Sequence, residues 1–363
     1  MALALANISK VVGRETHIHP LDLSLEAGTL NILLGPTLSG KTSLMRLMAG
    51  LDRPSTGRMT WNGEDITDIP VQHRNVAMVY QQFINYPSMS VYENIASPLR
   101  LQKLDKASID RKVNEIAELM KLEPQLRRKP LELSGGQQQR CALARALVKG
   151  ADLVLLDEPL ANLDYKLREE LRVEIPHFFS ESGSIFVYAT TEPSEALLLG
   201  GNTAALWEGR VTQFGPTLEV YRAPVDATTA QVFSDPPMNF VKVAKVGDRL
   251  LFGDDQSVPA IGELAKLPND TYTAGFRANH LALNHPGEQA LAFKAEVTVT
   301  EITGSETYVH LRHADDAPWV ALAHGVHQLP AGQNTQVFVD IRNIYFFNEK
   351  QELAAAAAAS KAA

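Results

Sequence analysis

Leu30-Asn31-Ile32-Leu33-Leu34-Gly35-Pro36-Thr37-Leu38-Ser39-Gly40-Lys41-Thr42 decides the fold. An apolar run of strand character enters a turn bounded by Gly35 and Gly40. Ser43–Ala49 then continues as a helix, with Gly50 at its C-terminal cap. The turn matches G-x-x-x-x-G-K-[ST], and the strand before it and the helix after it give that pattern its meaning. Backbone N–H groups of such a loop, together with the helix N-terminus, form a concave anion site. Gly35, Pro36, Thr37, Leu38, Ser39, Gly40, Lys41, Thr42 and Ser43 are therefore the candidate phosphate cradle. In it Lys41 is expected to neutralise the β- and γ-phosphates, and the Thr42 hydroxyl to ligate Mg²⁺.

Working outward, Leu153–Leu156 and Ser184–Tyr188 read as further buried strands, with helical patterns between them. That alternation predicts an α/β domain whose parallel sheet is covered on both faces. One helix is plain, because Ile109, Val113, Ile116, Ala117 and Met120 share a face and Pro124 and Pro130 close the region. Beyond residue 233 the texture changes. Phe293, Ala295, Val297 and Val299 alternate with Lys294, Glu296, Thr298 and Thr300, which is strand patterning. Trp319–Leu322 and Val337–Ile341 are further short strands, and Gly304-Ser305 and Ala331-Gly332 mark turns. A small β-barrel is expected. The domains read as 1–233 and 234–350, with the boundary near Ser234-Asp235-Pro236-Pro237. The Ala-rich tail 351–363 has no apolar periodicity with which to dock, so it is expected to be disordered.

Charge and composition narrow the function. The 363 residues carry 34 Lys+Arg against 42 Asp+Glu, and residues 234–363 alone hold 10 positive and 15 negative side chains. Without a clustered positive field, nucleic acid is not expected as a partner. The single cysteine, Cys141, excludes a disulfide framework and a cysteine zinc site, and fits a reducing compartment. No apolar run approaches the ~18–20 residues that span a bilayer. The start, MALALANISK, lacks the charged region of a signal peptide, so a cytoplasmic chain is expected.

Asp157-Glu158 follows Leu153–Leu156, at the sheet edge where open α/β sheets bind ligands. On their own, two such acids read more readily as a solvated strand end. Beside a phosphate loop, Asp157 becomes a candidate Mg²⁺ ligand and Glu158 the carboxylate that polarises an attacking water. Leu133-Ser134-Gly135-Gly136-Gln137-Gln138-Gln139-Arg140 opens another helix and makes a second anion site. Two such sites far apart in one chain suggest that two chains share their nucleotides.

With Leu133–Gln137 in view, the chain resembles the ATPase subunit of an ABC transporter, whose fold is a P-loop NTPase domain with a helical subdomain. Pro236-Pro237-Met238-Asn239, Gly275-Phe276-Arg277 and Gly304-Ser305-Glu306-Thr307 resemble the regulatory OB-type domain of importers of the maltose and glycerol-phosphate group. The resemblance covers about residues 1–350. It implies ATP and Mg²⁺ as cofactors, with Gln81 touching the metal and the water. It places Ser134, Gly135, Gly136 and Gln137 on the ATP of a facing subunit, and Asp164, in Ala161-Asn162-Leu163-Asp164, on the loop that crosses to that subunit. Phe83–Arg100 resembles the surface that receives the permease. In this family ATP favours a closed ATPase pair, and closure rocks two permease subunits. The chain would then sit peripherally on the cytoplasmic face of the inner membrane and serve a periplasmic solute-binding protein indirectly.

Three departures stand out. The family's switch His is replaced by Thr191, and no His lies between His177 and His280. A hydroxyl cannot make the ring's contacts, and losing a positioned donor costs ~10²–10³ in rate. The adenine-stacking aromatic is replaced by Val12, with His17 and His19 left as possible substitutes, and no Phe, Tyr or Trp precedes Trp61. Leu38 stands where the phosphate loop usually has glycine; if the position needs positive φ, Leu costs about 1–2 kcal/mol there. These departures favour an asymmetric ATPase heterodimer over an ordinary homodimer, with glycerol as the expected solute. The competing readings are a soluble ABC protein of translation or repair, which the single cassette, the importer-type C-terminal domain and the lack of a basic face oppose, and a regulatory scaffold that binds nucleotide and hydrolyses little.

Overall fold

The computed structural model describes residues 2–161, 163–253, 256–285, 287, 290–313 and 317–357, with backbone alone at 167, 174 and 176–182. Two compact units divide between Thr217 and Leu218.

In the first unit, β1 (Ala2–Val12) and β2 (Glu15–Glu26) form an antiparallel pair, followed by β3 (Leu30–Leu34) and α1 (Lys41–Ala49). Strands β4 (Thr56–Trp61) and β5 (Glu64–Asp65) complete a sheet of order β2-β1-β4-β5. Next come β6 (Val76–Val79), α2 (Val91–Leu101), α3 (Lys106–Leu119), α4 (Gly135–Val148), β7 (Leu153–Asp157) and α5 (Tyr165–Ser182). The remaining elements are β8 (Ile185–Thr190), α6 (Pro193–Leu199), β9 (Asn202–Trp207) and β10 (Arg210–Pro216). The central sheet runs β10-β9-β3-β8-β7-β6, and its pairs from β9 to β6 are parallel. Strands β3, β7 and β8 are buried along their whole length, as an apolar run inside a covered sheet must be.

Helix α1 lies between the two sheets. Its Leu44, Met45, Leu47 and Met48 share one core with Leu3, Leu5 and Ile8 of β1 and with Leu155 and Val187 of the central sheet. Burying four large apolar side chains fixes α1, and hence the loop before it, on the order of 1.5–3 kcal/mol per side chain. Gly50 ends α1 with φ 75°, the left-handed cap its glycine suggests. Helices α2, α3 and α4 pack against one another as the helical subdomain. Side-chain caps start each of them: Ser90 with Glu93 for α2, Asp105 for α3, and Ser134 with Gln137 for α4.

The second unit contains α8 (Ala227–Val232), which follows α7 (Thr217–Arg222). Its strands are β11 (Asn239–Val246), β12 (Arg249–Phe252), β13 (Gln256–Pro259), β14 (Thr271–Phe276), β15 (Leu281–Ala282) and β16 (Ala290–Ile302). They continue with β17 (Glu306–Arg312), β18 (Pro318–His324), β19 (Asn334–Asp340), β20 (Tyr345–Phe347) and β21 (Leu353–Ala355). Two sheets, β13-β12-β11-β14-β20-β21 and β15-β19-β16-β17-β18, enclose one aromatic-rich core and make the small barrel-like domain expected from sequence. Phe276 and Phe293 both meet the Trp319 ring edge to face, at 5.1 and 5.2 Å.

The motif residues of this unit are its fastenings. The Asn239 amide donates to the Val320 carbonyl at 2.9 Å, and its oxygen accepts from Val320 N–H at 2.7 Å. Gly275 leaves room for neighbours: an added Cβ would stand 2.9 Å from Met238 Sδ. Buried Arg277 donates to the Tyr345 hydroxyl and the Tyr221 carbonyl, and its guanidinium lies 3.8 Å from the Tyr221 ring centre.

The Ala-rich end differs from expectation. Leu353–Ala355 pairs with Phe346 and Phe347, and Ala355 and Ala357 are buried. Alanine carries no β signal of its own; the free edge of β20 supplies the pairing. Residues 358–363 lie outside the described residues. Ala227 and Ala230 of α8, which composition assigned to the first domain, bury against Met238, Tyr345 and Phe347.

Candidate functional site

The ends of β3, β6, β7 and β8 bring most of the candidate residues to one edge of the central sheet. Gly35 leaves β3 so tightly that a Cβ there would stand 2.3 Å from the Leu206 carbonyl oxygen. Gly40 has φ 103°, a conformation L side chains rarely adopt, and caps α1 through its carbonyl to Leu44 N–H at 2.9 Å. Leu38 has φ 68° and is 95% exposed, which resolves the condition left open by sequence. It is a left-handed leucine with no packing to offset a strain of about 1–2 kcal/mol.

Lys41 is buried, and its ammonium donates to the Gly35 and Pro36 carbonyls at 2.7 and 2.9 Å. Burial lowers its pKa, while Glu158 and Asp157 oppose that shift. Among the described residues no partner reaches the buried Ser39 hydroxyl. The Thr42 hydroxyl donates to Asp157 Oδ2 at 2.7 Å. Burial raises the Asp157 pKa against the pull of Thr42 and Lys41.

The third group forms across the sheet edge. Gln81, just past β6, donates from Nε2 to Glu158 Oε2 at 2.9 Å. Glu158 has φ 47° and donates its N–H to the Ala189 carbonyl at 3.0 Å. A non-glycine residue held in this region marks a chain end fixed by its surroundings, and such residues cluster at functional sites. Thr191 follows β8 and is exposed. Among the described residues no hydrogen bond reaches its hydroxyl.

The residues at this edge suit a nucleotide and its metal. A desolvated ammonium resting on loop carbonyls, an unpartnered Ser39 hydroxyl and two glycines whose Cβ positions are filled suit a chain of phosphates. A hydroxyl, a carboxylate and an amide oxygen are the hard donors that Mg²⁺ takes alongside phosphate oxygens. When bound, Mg²⁺ would neutralise phosphate charge at Thr42, Asp157 and Gln81.

Other candidates lie apart from this cluster. Ser134 and Gln137 close on each other as a capping box: Gln137 N–H donates to Ser134 Oγ at 3.3 Å, and Ser134 N–H donates to Gln137 Oε1 at 3.0 Å. Ser134 and Gly135 are exposed and Gly136 and Gln137 half-buried. Among the described residues no hydrogen bond joins these four to the phosphate loop. The Gln139 amide does tie α4 to the Pro159 carbonyl, just after Glu158, at 2.7 Å. Asp164 is exposed, and Asn162 lies outside the described residues. Val12 is 48% exposed at the end of β1, paired with Glu15.

Sequence reasoning missed the support beneath the loop. Gly209 N–H donates to the Ser39 carbonyl at 2.9 Å, and a Cβ on Gly209 would stand 2.5 Å from the His17 carbonyl oxygen. Glu208-Gly209 is a turn without a motif, so the only available signal was its glycine.

Known proteins resemble this chain in both of its units. Residues 18–161 match the family described as ABC transporter, and residues 274–347 match the TOBE domain. The trehalose/maltose import ATP-binding protein MalK of Thermococcus litoralis is 35% identical over 367 residues, covering 95% of this chain and 97% of that protein. The sn-glycerol-3-phosphate import ATP-binding protein UgpC of Paraburkholderia xenovorans is 34% identical over 359 residues, covering 96% and 97%. An ATP-binding cassette solved as a dimer with ADP and Pi superposes with TM-score 0.54 at 26% identity, over 59% of this chain and 98% of that one.

Proposed function

The chain belongs to the ATP-binding subunits of ABC importers for sugars and glycerol phosphate, which hydrolyse ATP to drive transport, and we propose that its own phosphate-loop site is the weaker of two in an asymmetric pair. The observation that carries this reading is Thr191, whose hydroxyl finds no partner among the described residues, beside an otherwise assembled Gln81–Glu158 pair.

In this reading each residue has a role that the geometry supports. Lys41 and the N–H groups from Gly35 to Ser43 hold the β- and γ-phosphates. Glu158 accepts a proton from the attacking water, and Gln81, already bonded to it, orients both. Val12 offers the adenine an apolar contact without stacking. Thr191 is too short to reach the γ-phosphate as a ring donor would, so negative charge developing there is less well held. Ser134, Gly135, Gly136 and Gln137 are intact and, among the described residues, make no hydrogen bond to their own phosphate loop, as residues lent to a second ATPase would not, and Asp164 faces that partner. Two permease subunits complete the importer and bind at Phe83–Arg100. Among the described residues no helix is long and apolar enough to cross a membrane. The permeases therefore hold the chain at the cytoplasmic face of the inner membrane, and a periplasmic binding protein supplies the solute.

The solute proposed is glycerol, because an asymmetric ATPase pair suits a branch of the family that handles small polyols. The test is to purify the chain with its permeases and assay ATP turnover in proteoliposomes. Glycerol is expected to stimulate turnover, with a second, different ATPase in the complex. Stimulation by maltose or sn-glycerol 3-phosphate instead, with this chain as the sole ATPase, would replace the reading with an ordinary homodimeric importer. The intact Gln81–Glu158 contact is what favours that second reading.

A further inference from the structure

We propose that Arg168 is a positioning residue that latches the loop beginning at Ala161 to the switch position at Thr191, so that a pull on one is felt at the other. This rests on the reading above, in which that loop meets the partner ATPase. Arg168 stands in the first turn of α5, its N–H donating to the Asp164 carbonyl at 2.9 Å. Its guanidinium forks: one arm donates to the Ala161 carbonyl at 3.0 Å, the other to Glu192 Oε1 at 3.1 Å. The side chain is only 22% exposed, so both contacts are partly shielded from water.

Glu192 is the residue after Thr191, and it is gripped twice. Arg172, one helical turn beyond Arg168 and 12% exposed, donates to Glu192 Oε2 at 3.0 Å and also pairs with Glu169 and Glu195. Glu195 is buried and accepts from the Thr190 hydroxyl at 2.7 Å and the Tyr188 hydroxyl at 3.1 Å. Glu192 N–H donates to Thr190 Oγ1 at 3.0 Å. Both chain neighbours of Thr191 are thus fixed by side chains, while Thr191 is not. The backbone at the switch position takes its place from α5, and α5 takes its start from the Ala161 loop. A guanidinium is the one side chain with donors splayed widely enough to hold a carbonyl and a carboxylate in this way.

The latch is separable from mere stability by two readouts on the full chain. In amide hydrogen exchange, Arg168→Gln and Glu192→Gln are each expected to raise exchange about tenfold at both 190–192 and the Ala161 turn, the loss of a charge-assisted contact in either case. Arg168→Lys, whose donors all sit on one nitrogen and so cannot span two acceptors reached by opposite arms of the guanidinium, should release one segment and keep the other. In the reconstituted transporter, Arg168→Gln should lower kcat about tenfold or more with KM for ATP within about twofold, because the released Ala161 loop no longer supports the partner's competent site while both phosphate loops still bind. The Arg168→Gln/Glu192→Gln pair should lose no more than the single variant. Release of the Ala161 turn alone, or additive losses in kcat, would overturn the latch. A wild-type transporter that hydrolyses no ATP would instead remove the functional reading on which the latch rests, while the exchange data would still decide whether the two segments are joined.

Discussion

Two anion-binding helix starts in one chain differ in how well they are kept. The one proposed to hold this chain's own nucleotide combines an intact lysine and carboxylates with three departures: Val12 where an aromatic would stack, a left-handed Leu38 in the loop, and Thr191 at the switch. The other, Ser134–Gln137, has none; its serine and glutamine close a complete capping box, and a Cβ added at Gly135 would meet nothing within 4 Å. The difference teaches that binding and turnover can part company within one cassette. On the proposed reading, the groups that grip phosphate are in place, the group that would complete the reacting end is not, and the surface this chain would lend to another subunit is whole.

The sharpest way to break that comparison is to damage each start in turn in the assembled transporter. Ser134→Ala is expected to lower solute-driven ATP turnover by ~10²-fold, the scale of losing one positioned donor at a competent site. Lys41→Ala in the same complex should cost clearly less, because it disables the slower site. Equal losses from the two would mean equal sites. A smaller effect sharpens the base end: Val12→Tyr should tighten ATP binding by about 1 kcal/mol, roughly fivefold in Kd, as stacking is restored. Unchanged affinity in a titration with labelled nucleotide would show that another side chain already covers the base. The smallest effect concerns strain. Leu38→Gly should raise the unfolding free energy by about 0.5–1 kcal/mol, since relief of the left-handed conformation outweighs glycine's greater freedom when unfolded. A lower midpoint in urea would show that Leu38 makes a contact worth more than its strain.

The same contrast sets what was legible in the sequence. Gly35–Thr42 could be read because its chemistry is local: consecutive residues, a strand before and a helix after. The edge position of Asp157 and Glu158 was readable once the sheet was known to be parallel, because every parallel strand delivers its last residue to the same side. The Arg168–Glu192 contact was not legible, since nothing local says that the first turn of α5 returns to the end of β8. Leu38 could be read only conditionally, because its cost hangs on a backbone angle that sequence does not print. In the second unit, the alternation of Phe293 to Thr300 announced a strand, whereas Leu353–Ala355 did not. Its pairing depends on the open edge of β20, a tertiary fact, and alanine has too little side chain to signal it.

The central claim is that Thr191 leaves this chain's own site slow. It is tested most directly by ATP turnover of the purified chain alone, wild type beside Thr191→His and Thr191→Ala. The account predicts slow turnover in the wild type, little change in Thr191→Ala, and a gain of ~10²-fold in Thr191→His as a ring donor is restored beside the intact Glu158 and Gln81. Brisk turnover by the wild-type chain, untouched by Thr191→Ala and not raised by Thr191→His, would contradict it.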